Sequence, residues 1–177
     1  MSRLDYGSGR FNADFETREI SEALRGWQTE FGDSVLYYRY WGEQSQMDNI
    51  WDEATAAGRT WHPPSEVPAL HVTHVEGGDE DRAQGQYYND TLYMTCTFEA
   101  LKRIGFTELD LTYQSYLNDR IVYDYRVFRV TRLQVMGQIQ RRDVIVSIEG
   151  SQVKPDEMLN DVGFEVFANP PGFLKRP

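Results

Sequence analysis

Residues 119–148 read DRIVYDYRVFRVTRLQVMGQIQRRDVIVSI, and the placement of their apolar residues decides the fold. Asp119-Arg120-Ile121-Val122-Tyr123 and Arg126-Val127-Phe128-Arg129-Val130-Thr131-Arg132-Leu133 are rich in β-branched and aromatic residues, with only Asp124-Tyr125 between them. That pattern predicts two antiparallel strands joined by a tight reversal. Tyr125 stands where glycine is the usual choice, because such a reversal needs positive φ at its central residues. Gly137 predicts a further turn, and Asp143–Ile148 a further strand with Val144, Val146 and Ile148 on one face. Together these segments predict a compact antiparallel sheet or barrel.

Working outward, Leu70–Val75 and Thr91–Phe98 extend the sheet-like pattern. Between them EGGDEDRAQGQYYN (76–89) is acidic and glycine-bearing, which favours a flexible or partner-ordered loop over a buried helix or strand. Glu99–Ile104 predicts a short helix ended by Gly105. In DFETREISEALRGWQTEF (14–31), Ile20, Leu24, Trp27 and Phe31 recur at helical spacing, predicting one amphipathic helix. VLYYRYW (35–41) favours an extended segment. Residues 42–69 read as an ordered connector whose prolines exclude a regular central strand. VGFEVFANPPGF (162–173) predicts a last strand before Pro170-Pro171. The expected architecture is mainly β: a small antiparallel β-barrel with an N-terminal amphipathic helix, a short internal helix and long loops. Residues 1–69 would form the arm and connector, 70–167 the barrel core and 168–177 a tail.

The chain has 177 residues, of which 40% are hydrophobic, enough for one core with attachments and short for two full domains. Its 28 acids against 18 bases, a net charge of −10, oppose adhesion to nucleic-acid backbone or anionic membrane over most of the surface. Residues 1–90 hold 17 acids and 7 bases, whereas residues 91–177 hold 11 of each, so the net charge lies in the first half. Cys96 is the only cysteine, which excludes an intrachain disulfide or multi-cysteine zinc cluster and makes a reducing compartment the default. The start has no apolar secretory core and no run approaches the roughly 20 apolar residues of a membrane span, so a soluble protein is expected.

No phosphate-cradling glycine loop, dinucleotide fingerprint or calcium loop is present in the sequence. His71 and His74 fall on opposite faces of a strand, which argues against shared metal ligation and for one histidine paired with a carbonyl or carboxylate while the other faces solvent. Asp79, Glu80 and Asp81 have the chemistry to hold a cation or activate water, but adjacent carboxylates set no geometry, and a solvated acidic face is the simpler reading. Cys96 lies in a strand pattern and reads as a packing group. Neither catalytic residue, metal nor cofactor is expected. The arginines Arg120, Arg126, Arg129, Arg132, Arg141 and Arg142 suit charge-assisted bridges to acidic subunits or, as the second reading, a narrow nucleic-acid path. By strand parity Arg126 and Arg132 share one face and Arg129 takes the other.

Five segments in order, YRYW (38–41), SQMDNIWDEA (45–54), WHPPSEVPAL (61–70), YLNDRIVYDYRVFRVT (116–131) and RDVIVSIEGSQVKPDE (142–157), resemble the head-to-tail connector or head-closure proteins of tailed bacteriophages, particularly stopper-like neck proteins. The resemblance spans about residues 35–165. It implies a small β-barrel assembled as a ring, usually a hexamer, below a portal-bound adaptor and above the tail terminator or tail tube, with packaged double-stranded DNA in the lumen. Such a protein sits at the virion neck after assembly in the host cytoplasm, touches no membrane, retains DNA and offers the tail an attachment surface. Within that placement Glu76, Asp79, Glu80 and Asp81 are candidates for a channel or gate loop, with residues 106–118 as the competing segment. Trp27, Tyr37, Tyr38, Tyr40, Trp41, Trp51 and Trp61, with the six arginines, are candidate subunit or partner contacts. A tail-completion or tail-terminator protein is the alternative within the same assembly, and a carboxylate-dependent enzyme the alternative outside it.

Overall fold

The two strands flanking Asp124-Tyr125 pair as the quoted stretch requires. In the computed structural model, which describes residues 13–45, 58–77, 79–82, 85–88, 90–139, 142–158, 161 and 163–168, Tyr123 lies opposite Arg126 and both intervening residues have positive φ, 47° at Asp124 and 59° at Tyr125. Positive φ at both central residues is the geometry of the two-residue hairpin turn, here adopted without glycine.

The chain runs α1 (Ala13–Glu30), β1 (Asp33–Tyr38), β2 (Ser65–Ala69), β3 (His71–Val75), β4 (Asp79–Arg82), β5 (Gly85–Tyr88), β6 (Thr91–Thr97), α2 (Phe98–Arg103), α3 (Glu108–Tyr113), a 3-10 turn (Ser115–Asn118), β7 (Arg120–Tyr123), β8 (Arg126–Ile139), β9 (Arg142–Gln152), α4 (Pro155–Met158) and α5 (Glu165–Ala168). Seven strands form one antiparallel sheet in the order β2-β1-β7-β8-β9-β6-β3, and β4 and β5 pair separately. The mainly β, antiparallel expectation therefore holds. The sheet is not closed, so barrel describes it only loosely. Its two edge strands are consecutive in sequence, and Leu70 between them donates its N–H to the Thr95 carbonyl at 2.7 Å, which brings the two edges to one corner.

Several expectations need correction. The end of the supposed connector is strand β2, which tolerates Pro68 because it is an edge strand and needs no donor on its free side. The sheet accordingly draws strands from both sides of residue 69. Gly137 makes no turn. β8 continues through it to Ile139, and Gly137 marks register shifts where the strand bends. The expected last strand at 162–173 is helical at Glu165–Ala168, with Phe164 and Phe167 three residues apart and their rings 6.1 Å apart, a side-by-side placement that strand parity denies. The acidic stretch after Val75 is a paired hairpin, β4–β5.

The core follows the period-2 rule. Along β9, Val144, Val146, Ile148 and Gly150 are buried and alternate with partly exposed residues. They meet Leu92, Met94 and Cys96 of β6 and Phe128, Val130 and Leu133 of β8. Each large side chain removed from water here stabilises the fold by about 1.5–3 kcal/mol. A second cluster on the opposite side of β7 and β8 joins Val122 and Val127 to Trp61, Val153, Met158 and Phe164. The C-terminal segment thus covers part of the sheet's other face.

α1 sits differently. Gln28 Nε2 donates to the Pro68 carbonyl at 3.1 Å and Trp27 Nε1 to the Leu70 carbonyl at 3.4 Å, so β2 and the corner hold the helix end through polar contacts. Gly32 allows this approach, since a Cβ there would lie 2.4 Å from the Ala69 carbonyl oxygen. Gly32→Ala should therefore push α1 away from β2 and lower stability by about 1–3 kcal/mol, read as a lower urea midpoint with faster amide exchange in α1 than in β9. Among the described residues no helix is long and apolar enough to cross a membrane.

Candidate functional site

The apolar stripe predicted for α1 forms but is largely uncovered. Ile20 is 40% exposed, Trp27 53% and Phe31 70%. Ser21 and Gln28, polar and half-buried, line a hollow against the body of the subunit. An amphipathic helix ordinarily buries its apolar stripe on its own core, and this one leaves much of it for another surface.

The remaining aromatic candidates divide by burial. Tyr37, at 1% exposed, and Trp61 lie inside the subunit and serve its core. Tyr38 packs on Phe164 with ring centroids 4.9 Å apart, Tyr40 meets Trp61 at 6.0 Å, and Trp41 stacks on His62 at 4.3 Å, all partly exposed. Trp51 lies outside the described residues.

The arginines divide likewise. Arg120 is 1% exposed and paired with buried Asp161, which removes it from the surface. Arg126 Nη1 lies 3.1 Å from Asp90 Oδ2, and Arg129 Nη2 lies 2.5 Å from Glu157 Oε2. Exposed Arg132 sits opposite Glu149 in register, and exposed Arg142 lines a hollow beside α1. The parity expectation is corrected by a bulge between Val130 and Arg132: buried Val130 and buried Leu133 straddle it, so Arg129 and Arg132 share a face and Arg126 takes the other. Arg141 lies outside the described residues.

Of the acidic channel candidates, Glu76 is exposed, and Asp79, Glu80 and Asp81 pair along the backbone with Tyr88, Tyr87 and Gln86. The root of this hairpin is held by Asp90, which is 1% exposed. Its Oδ1 accepts the Gly77 N–H at 3.1 Å, its Oδ2 lies 2.9 Å from His74 Nε2, and its carbonyl accepts the Gln152 N–H at 2.9 Å. Arg126 Nη1 is also 2.9 Å from His74 Nε2. His74 is thus the partnered histidine, while His71 is exposed and within 2.6 Å of Thr73 Oγ1. Asp90 directly precedes the alternating pattern of β6, the one sequence signal that marks it.

The competing segment, 106–118, folds as α3 and the 3-10 turn and is tied to β1 through Arg39. Nη1 of Arg39 donates to the Gly105 carbonyl at 2.7 Å, Nη2 to Asp110 Oδ1 at 3.0 Å, and the guanidinium lies 4.6 Å from the Phe106 ring centre. The segment leaves Leu109 63% and Tyr113 76% exposed.

Between α1 and α2 lie two adjoining hollows of about 210 and 320 Å³ that share Ser21, Arg25 and Glu99. Four arginines, Arg18, Arg25, Arg103 and Arg142, and two glutamates, Glu22 and Glu99, line them. The lining thus holds four arginines against two glutamates in a chain of net charge −10. Among the described residues no group of three His, Cys, Asp or Glu side chains is placed to hold a metal ion. Cys96 is fully buried, and burial pushes its thiol up to about 12, which leaves it without nucleophilic thiolate near neutral pH.

No protein-family model and no curated protein matches the chain. Among solved structures, a chain from "Virion of native gene transfer agent (GTA) particle" is similar over 68% of this chain and 94% of that one, at 12% identity and a TM-score of 0.39. A likeness that distant carries no argument about fold or function.

Proposed function

We propose that this protein is a noncatalytic structural ring subunit of the neck of a tailed bacteriophage, in the stopper position between the portal-bound adaptor and the tail. The observation that carries the reading is the division of the subunit into a well-packed sheet and attachments that leave apolar surface uncovered, above all α1 with Trp27 and Phe31 exposed. Exposed aromatic anchors beside a rigid core are what a subunit needs to gain most of its partner contacts in an assembly. The ordered sequence segments from YRYW (38–41) to RDVIVSIEGSQVKPDE (142–157) support the same placement.

Within the ring, packaged DNA is restrained by geometry, and the acidic hairpin opposes persistent adhesion to phosphate wherever it meets the lumen. The test is co-assembly. Purified chain should bind portal–adaptor complexes and then recruit tails, and Trp27→Ala with Phe31→Ala should weaken that binding roughly tenfold or more while leaving the melting temperature within a few degrees. Binding to isolated tail tubes alone would move the protein to the terminator position, and binding to neither would overturn the neck reading.

A further inference from the structure

We infer that the groove between β1 and the β7–β8 turn docks a segment of a protein partner and takes from it an arginine flanked by an apolar residue. This docking does not depend on the ring reading above. The groove holds about 570 Å³ and is lined by β1, by the end of β7 with its turn, and by Phe167. Leu36 and Val122, opposite each other in register, supply its apolar floor. The C-terminal segment packs over Val122, which is 6% exposed, and leaves Leu36 39% exposed.

Charge selects the occupant. Asp33 and Asp124 line the groove, and no basic side chain does. Asp33 accepts the Tyr123 hydroxyl on Oδ2 at 2.6 Å and the Ser34 N–H on Oδ1 at 2.8 Å, which leaves each oxygen able to accept a second bond. Neither carboxylate makes an ion pair among the described residues. The bond to Asp33, burial and the two carboxylate charges push the Tyr123 phenol up to about 12, so it stays a neutral donor and the groove keeps its negative charge. A guanidinium can fork onto a carboxylate while its plane stacks on an aromatic ring, and Tyr123, Tyr125 and Phe167 supply the rings.

The turn points the same way. Asp124 and Tyr125 both have positive φ, 47° and 59°, a conformation that glycine adopts without strain. Tyr125 is 59% exposed, so its own subunit draws little packing from the ring held there. A side chain kept at a steric cost and left mostly in solvent at the rim of a groove suits an external contact. Openness makes the occupant part of a larger partner. Asp33, Ser34, Leu36, Asp124 and Tyr125 are all exposed, whereas a small-molecule site encloses roughly 70–90% of its ligand. Because β1 and β7 each have a neighbouring strand on both sides, no strand can be added here and side chains must carry the recognition.

An NMR titration of the full chain tests the contact, with a blocked tetrapeptide of alternating leucine and arginine as the probe and its glutamine counterpart as the control. The arginine peptide should shift the resonances of Leu36, Val122 and Tyr125, and the glutamine peptide should bind at least about fivefold more weakly. D33N/D124N keeps an acceptor for Tyr123 and suits the turn, and should raise the Kd of the arginine peptide roughly tenfold, with added salt acting in the same direction. D124N alone gives the same readout, to a smaller degree, should the pair disturb folding. Y125G should weaken binding about fivefold while leaving the melting temperature within a few degrees, whereas a tyrosine with only a structural role would lower the melting temperature and leave Kd unmoved. Equal binding of the two peptides, or no shift in the groove at millimolar peptide, would overturn the assignment. So would arginine amide binding as tightly as the tetrapeptide, which would reduce the site to one for a small cation. Groove resonances that move with protein concentration alone would give the groove to a second copy, and contacts between Leu36 and residues 169–177 in the free protein would give it to the chain's own end; either result overturns the partner.

Discussion

Asp161→Ala is expected to destabilise the protein by about 3–5 kcal/mol, the penalty of leaving a buried charge without its counter-ion. Arg120 and Asp161 are 1% and 3% exposed and bonded to each other, and the guanidinium lies 4.2 Å from the Trp61 ring centre and 4.8 Å from that of Phe164. The rings meet the cation with their electron-rich faces, but they accept no ordinary hydrogen bond, and Nε and Nη1 of Arg120 have none. Burial pulls the Arg120 pKa down, and Asp161 is the partner that opposes that pull. Asp161 follows α4 and Phe164 precedes α5, so loss of the pair should release the segment that covers Val122 and Val127. Urea denaturation measures the loss. The double substitution Arg120→Met with Asp161→Leu should recover most of it, because apolar residues of similar size replace an ion pair with little net change. A loss below about 1 kcal/mol for Asp161→Ala would show that the pair does not hold the segment.

The second large effect concerns Asp119 and depends on pH. Asp119 is buried between β1 and β7, where it accepts the Tyr37 hydroxyl at 2.8 Å and the Tyr40 N–H at 2.7 Å. Burial raises its pKa from 3.8 to about 6, against the two hydrogen bonds and Arg39, which favour the charged form. Because the folded value exceeds the unfolded one, the folded state holds the proton more tightly between about pH 4 and 6. Stability from this group is therefore greatest below about pH 4, declines as pH rises towards 6, and stays lower by about 3 kcal/mol above that. Asp119→Asn removes the ionisation while keeping an acceptor for Tyr40 and offering its amide to Tyr37. The variant should be more stable than wild type at pH 7 by about 1–3 kcal/mol, with the difference vanishing near pH 4. Paired denaturation curves at pH 4, 5, 6 and 7 check it, and a constant difference across that range would refute the assignment.

Both acids stand where sequence reasoning had no purchase. Asp119 reads as the polar residue before a strand, and Asp161 as one more acid in a turn. Neither their burial nor their partners 82 and 41 residues away has a local signature. The same holds for Tyr37 and Trp61, which share with Trp27 the residue type of an interface anchor and differ from it only in what lies over them. Arg129 and Arg132 are a sharper case, since one extra residue in β8 reverses the parity on which their faces depend.

What the sequence determined by itself was the antiparallel sheet around residues 119–148, the helix at α1 and the short helix stopped at Gly105, where φ is +87°. These rest on period, propensity and glycine placement, which act within a few residues and are legible in one dimension. The tertiary structure decided that β2 joins the sheet as an edge, that the acidic run is a paired hairpin rooted on Asp90, and that α1 leaves its apolar stripe uncovered. Those depend on which distant strand or side chain occupies the neighbouring space, and solvent exposure and electrostatic environment are properties of that space rather than of the residue.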